Sequence, residues 1–422
     1  MKTILKACLL PLILVGCATS RVVQTALHGD LAALQREIRE SQKAGRLDRA
    51  ALQELAIAVA GRELLSSPKP QAEERIFDLR RCAAPLKEVL QARAEQHDDG
   101  GAAAMLILVD LGFEDPDELF TRHARDESGA WRAVGARCSF VTGAGRARRE
   151  LFLDPDQRVR RAAIRAAQIA ADPADVDPLL EVARLDPDPL SRSNAARAAG
   201  AMRGRQVVWR LKDRWVRAPQ SVRTAIVDAW STQPTFASGG EHELVWAAET
   251  NQGEPGVLAA LALVRLHSAQ QQLGLAVLAR AIASGTESER RLAIQSAPMT
   301  DRTIFQKVKA AAKDDNAEVA VVALARLVQN GDRRAAVIDP LLKLAKRRGA
   351  VGTQARDALA VAGENRIHST LVLELAEKSA QRRGLAALGL YALGDYARAA
   401  TALGDDDPTV RASVACSLIA ER

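Results

Sequence analysis

"DPDQRVRRAAIRAAQIA", residues 154–170, decides how the chain is to be read. Asp154 and Arg160 stand six positions apart. Val159, Ala162, Ala163, Ala166, Ala167 and Ala170 then fall at i, +3, +4, +7, +8 and +11, one apolar stripe on an α-helix. Arg158, Arg161 and Arg165 fall on the opposite side, where water is expected. Asp154, followed by Pro155, is suited to accept backbone N–H groups at the helix start. A stripe made of alanine permits close approach of neighbouring helices. The same phrase returns as "DDDPTVRASVACSLIA", residues 405–420, with Asp405 and Arg411 in the same spacing.

A phrase that returns is either a site used twice or a building unit, and the spacing of further copies answers this. Asp126 and Arg132 repeat it, as do Asp186 and Arg192. Weaker copies start at Ala218 (with Val222 and Arg223), Gly253, Gly285, Asp314, Gly349 and Lys378. About ten segments at a period near thirty residues mark a helical repeat array. Between them lies a second helix per unit. "DPLLEVAR" (177–184) and "DPLLKLAK" (339–346) are almost the same string, each with a proline near the helix start. The fold class expected is all-α, a superhelical α-solenoid of hairpins over residues 97–422.

With these residues in place the chain resembles the HEAT-repeat family, in particular the short HEAT-like units named after phycobilisome lyases. The resemblance implies that Asp126, Arg132, Asp154, Arg160, Asp186, Arg192, Arg223, Asp405 and Arg411 form a hydrogen-bonded ladder between repeats. Their role would then be structural, not catalytic. Repeats starting at Gly253, Gly285 and Gly349 lack the full Asp/Arg pair, so the ladder is expected to break there. Ahead of the array, residues 25–95 read as an N-terminal helical cap. "TALHGDLAALQREI" (25–38) resembles an ankyrin helix–turn–helix, residues 44–64 read as a second hairpin, and 66–71 as a linker. Residues 72–95 add one more amphipathic helix.

The first seventeen residues, "MKTILKACLLPLILVGC", carry Lys2 and Lys6 before a short apolar run. The run is too short to cross a bilayer and suits a secretory signal. Leu14-Val15-Gly16-Cys17 resembles a bacterial lipobox, which implies a signal peptide over 1–16, diacylglycerol and palmitate on Cys17, and a tether over 17–24. Ala18 in place of Asp implies the periplasmic face of the outer membrane. Without residues 1–16 the chain keeps 406 residues and a formal charge of +5, too mild to suggest a nucleic-acid binder. Aromatics make up only 3%, which disfavours strands. Cys82, Cys138 and Cys416 read as buried small hydrophobes, with a Cys82–Cys138 bridge as the alternative.

Chemistry is hard to find. The six histidines form no HExxH, and there is no CxxC pair, GxSxG or Walker A. "GGEHE" (239–243) puts adjacent residues on different helix faces, which weighs against a metal site. No metal, cofactor or small-molecule substrate is expected. Two features stand out. Trp209, Trp215, Trp230 and Trp246 cluster, with Trp215 sharing a stripe with Val208 and Leu211. Residues 203–217 hold six basic residues against Asp213 alone, and Arg210, Arg214 and Arg217 form one ridge. The expectation is a non-catalytic envelope lipoprotein whose repeat surface binds an acidic protein partner through that ridge. The alternatives are a helper of a lyase-type HEAT-like enzyme and a structural spacer.

Overall fold

The computed structural model describes residues 21–28, 30–66, 82–202, 204–250 and 253–420. All regular structure among them is helical. The lipobox with Cys17 and the 66–71 linker fall almost wholly outside the described residues.

The helix Gln157–Ala170 shows how the unit is built. Val159, Ala163, Ala166 and Ala167 are completely buried, and Ala171 closes the helix in a left-handed conformation, φ 48°. Its N-cap is Asp156, whose carboxylate accepts from the Arg158 N–H at 2.8 Å; Asp154 sits two residues earlier and accepts from the Asp156 N–H, also at 2.8 Å. The expected capping role of Asp154 is therefore displaced by two residues. The first Asp of Asp-Pro-Asp forms the turn and the second caps. Asp186 and Asp188 divide the work in the same way, as do Asp314 and Asn316.

Small residues set the spacing between units. A Cβ on Gly200 would come within 2.5 Å of the Ala229 Cα, and one on Gly135 within 2.3 Å of the Ala124 backbone N. Neither neighbour can yield without the backbone moving.

Each unit contributes one helix to an inner row. In order these are Asp99–Asp110, Gly129–Cys138, Gln157–Ala170, Pro189–Ala199, Gln220–Trp230, Glu254–Arg265, Glu287–Ser296, Ala317–Gln329, Ala350–Val361, Ala380–Ala392 and Pro408–Ala420. Each packs on the next, while the alternate helices lie outside them. The last of the row, Pro408–Ala420, packs on Arg49–Ser66 of the N-terminal region. That region comprises Arg21–His28, Leu31–Lys43 and the single long helix Arg49–Ser66, which replaces the hairpin expected at 44–64. Its continuation is a short turn, Ala84–Leu86, and the helix Lys87–Ala94, which leads into Asp99–Asp110.

The solenoid therefore closes on itself, and its seam is chemically specified. Gln35 Nε2 donates to the Gly404 carbonyl at 2.9 Å, Gln42 donates to the Ala397 carbonyl, and Arg49 donates to the Tyr391 hydroxyl at 3.1 Å. Arg411 donates to Glu63 at 2.7 Å. Cys82 and Cys416 form a disulfide across the seam, their Cα atoms 5.1 Å apart and 334 positions apart in sequence. The Cys82–Cys138 alternative is thereby overturned, as is the reading of all three as free hydrophobes. Among the described residues Cys138 is the one free cysteine, and burial pushes its thiol up to about 12.

Candidate functional site

The ladder is where sequence and geometry can be compared residue by residue. Arg132 makes a two-pronged contact with Asp154, 2.7 and 3.1 Å, and its third nitrogen donates to the Asp126 carbonyl at 2.7 Å. Arg160 repeats this on Asp186, 2.7 and 3.0 Å, and on the Asp154 carbonyl at 2.9 Å. Arg383 does the same with Asp405, 2.7 and 2.8 Å. Each Arg thus ties its own turn to the carboxylate of the following repeat, the geometry a planar guanidinium favours.

The exceptions have local causes. Arg192 donates to the Asp186 carbonyl at 2.7 Å, but the next unit begins with Ala218 and supplies no carboxylate in the ladder position. Arg223 turns to the carbonyls of Trp215 and Val216. At the Gly285 unit the expected break is absent, because Arg290 reaches Asp314. In the Gly349 unit Arg356 lies a few residues later and pairs with Glu374 at 2.9 Å instead. Arg411 donates to Glu63 of the N-terminal region, which stands where the Asp of a neighbouring repeat stands for the other arginines. The ladder runs through the seam.

Two of the three arginines of the basic ridge, Arg210 and Arg214, lie against acids of this chain. Arg210 pairs with Asp177, Arg214 lies 3.8 Å from Glu181, and Lys212 binds Glu243 at 2.8 Å while sitting over the Trp246 ring. Acids from the flanking units thus pair with Arg210, Lys212 and Arg214. Trp215 stacks on Trp230, ring centroids 5.3 Å apart, with Val208 and Leu211 buried beside them. Trp209 points outward and is 71% exposed. Glu241 of "GGEHE" accepts from the Ala269 N–H and Ser268 hydroxyl, so it serves a turn. No group of three or more metal-ligating side chains occurs among the described residues.

The most distinctive surface is a groove of 560 Å³ on the inner row. It crosses four consecutive helices, Asp99–Asp110 to Pro189–Ala199. Its floor is alanine with Leu106 and Ile164, and its walls carry Arg137, Arg158, Arg161, Arg165 and Arg197. The arginines expected to face water on Gln157–Ala170 are partly exposed and line this open groove. Arg158 binds Asp156 and Asp99, Arg161 binds Asp188 at 2.7 Å, and Arg197 binds Asp228 at 3.0 Å. The Arg161 guanidinium, with the Ser191 and Leu190 donors, holds the Asp188 carboxyl far below the usual range. Asp110 is shared by Arg137 at 2.7 Å and Arg165 at 3.4 Å. Helical periodicity placed these arginines together but could not say that they line a groove shared by four helices.

Comparison with known proteins agrees on the repeat. Residues 147–231 match the family model for HEAT repeats. A comparison with the curated proteins finds no match. Among solved structures, two crystal structures of Kap121p, one of them a mutant, share 14% identity with TM-scores of 0.34 and 0.33, covering 89% of this chain and 48% of theirs. The chain thus spans about half the length of Kap121p. The crystal structure of an engineered protein shares 16% identity with a TM-score of 0.26, covering 88% of this chain and 98% of that one. Residues 147–231 carry HEAT repeats, and the chain that contains them is an all-α solenoid.

Proposed function

We propose that this chain is a lipid-anchored scaffold of the bacterial envelope that binds a protein partner on the inner face of its solenoid. The observation that carries the binding half is the groove across Asp99–Asp110 to Pro189–Ala199, an open channel over several repeats of the kind suited to a polypeptide. The Leu-Val-Gly-Cys motif ending at Cys17 supports the anchor. The Cys82–Cys416 disulfide supports a compartment that oxidises thiols, as the periplasm does. The groove is preferred to the Arg210, Arg214 and Arg217 ridge because it runs across four units, whereas the ridge lies on one helix and its C-terminal end.

Two experiments test this. Labelled palmitate should enter the wild type and not Cys17→Ala; labelling that survives the substitution removes the anchor. A photo-crosslinking residue in place of Gln168, exposed in the groove, should trap a protein in envelope preparations, and one in place of Lys307 on an outer helix should not. Equal trapping from both positions, or none from either, rejects the inner-face reading.

A further inference from the structure

We infer that the groove takes an extended acidic segment of a partner protein, with an Asp or Glu side chain seated on Arg137. This rests on the inner-face reading above and adds the chemistry of the occupant.

Arg137 is 7% exposed, lies in the groove wall and holds Asp110 through Nε and Nη2. Its Nη1 is buried and has no hydrogen-bond partner. A guanidinium N–H withdrawn from water and left unpaired is costly, and an acceptor supplied from the groove would remove that cost. The ring of Phe140 lies beside the same guanidinium, centroid 5.6 Å from Cζ, and does not supply an acceptor.

Charge along the groove is uneven. At the Asp99 end, two carboxylates, Asp99 and Asp156, answer the one guanidinium of Arg158. Toward the middle, Asp110 is divided between Arg137 and Arg165. Arg161 and Arg197 are each matched by one acid. An incoming carboxylate beside Asp110 would be met by the guanidinium groups of both Arg137 and Arg165.

The shape selects a segment over a small acid. Four neighbouring inner helices at 8–10 Å spacing span roughly 25–30 Å. An extended chain of about eight residues covers that distance. The alanine floor admits a backbone closely, and Leu190, 49% exposed at the far wall, offers an apolar contact beyond the carboxylate.

The test is fluorescence anisotropy with a labelled ten-residue peptide alternating Glu and Ala, run on the folded, oxidised protein. Controls carry Gln or Lys in place of Glu, and unlabelled citrate serves as competitor. The acidic peptide should bind, with the Gln peptide at least ten-fold weaker and the Lys peptide weaker still. Arg137→Lys keeps a cation for Asp110 but removes the free fork nitrogen. It should weaken binding at least ten-fold, as should Arg165→Gln at the exposed wall, each with an unchanged circular-dichroism spectrum. Arg210→Gln should have no effect. Equal binding of the Glu and Gln peptides, loss only with Arg210→Gln, or indifference to both groove variants overturns the assignment. Citrate competing as well as the peptide at equal carboxylate concentration would make this a small-anion site and also overturn it. Should Gln168 crosslink a protein while the acidic peptide fails to bind, the occupant's chemistry is wrong and the inner-face reading stands.

Discussion

Breaking the Cys82–Cys416 bridge should open the array at one place. The disulfide encloses a loop of 334 positions, nearly the whole array. The logarithmic loop-entropy relation assigns a loop of that length about 6 kcal/mol at 25 °C, and measured disulfides return about 2–5 kcal/mol. Without it, helix Pro408–Ala420 is held to Arg49–Ser66 by packing, the Arg411–Glu63 pair and the polar contacts of Gln35, Gln42 and Arg49. Cys416→Ser, or treatment with a dithiol reductant, should lower the denaturation midpoint. In hydrogen exchange, amides of Pro408–Ala420 and Arg49–Ser66 should lose protection first, while Gln157–Ala170 keeps its own. Cys82→Ser should match Cys416→Ser, and the double variant should add nothing, because both remove one bond. Uniform loss of protection around the array would refute the reasoning. So would a peptide map of the native protein in which Cys82 is joined to Cys138.

Three further outcomes follow from residues already placed. Asp186→Ala should strip the two-pronged contact from Arg160 and leave that buried guanidinium short of an acceptor, destabilising by roughly 3–5 kcal/mol; Asp188→Ala, which loses the cap and the Arg161 contact, should cost about 1–2 kcal/mol by chemical denaturation. Acid should weaken the array in a defined window. The folded Asp188 and Asp156 carboxyls are held low by Arg161 and Arg158, so their contribution is full above the unfolded value of about 3.9 and is lost as pH falls below it toward the folded values. An unfolding midpoint that is flat between pH 5 and pH 2 would count against these pairs. Gly200→Ala drives a methyl into the backbone of Ala229 and should lower the melting temperature by several degrees or prevent folding, whereas Ala substituted at exposed Lys307 should leave it unchanged.

What could be read in advance follows the range of each interaction. The period, the buried stripe of Val159 to Ala167 and the Arg160–Asp186 pairing are properties of one unit and its neighbour, so residue spacing reveals them. The cap was read two residues early because Asp154 and Asp156 are the same residue type on either side of Pro155, and only backbone geometry separates turn from cap. Closure was invisible. It depends on small rotations accumulated over the whole array, and no single residue encodes that sum. Glu63 belongs to a helix with no repeat signature, so nothing marked it as the acid that completes Arg411. The pairing of Cys82 with Cys416 needs closure first and could not be deduced from three cysteines. The Arg137 site was missed because a guanidinium with one unpaired nitrogen leaves no trace in spacing.

Closure also makes the number of repeats an integer constraint. An open solenoid can gain or lose a unit internally and still present polar caps at both ends. Here the two ends serve as each other's caps, and Pro408–Ala420 must arrive beside Arg49–Ser66 at the height that sets Arg411 against Glu63 and Cys416 against Cys82. Duplicating one unit, for instance residues 154–185, would change the circumference and set these partners out of register. Such a chain would have to open, strain every interface a little, or join seam to seam with a second copy.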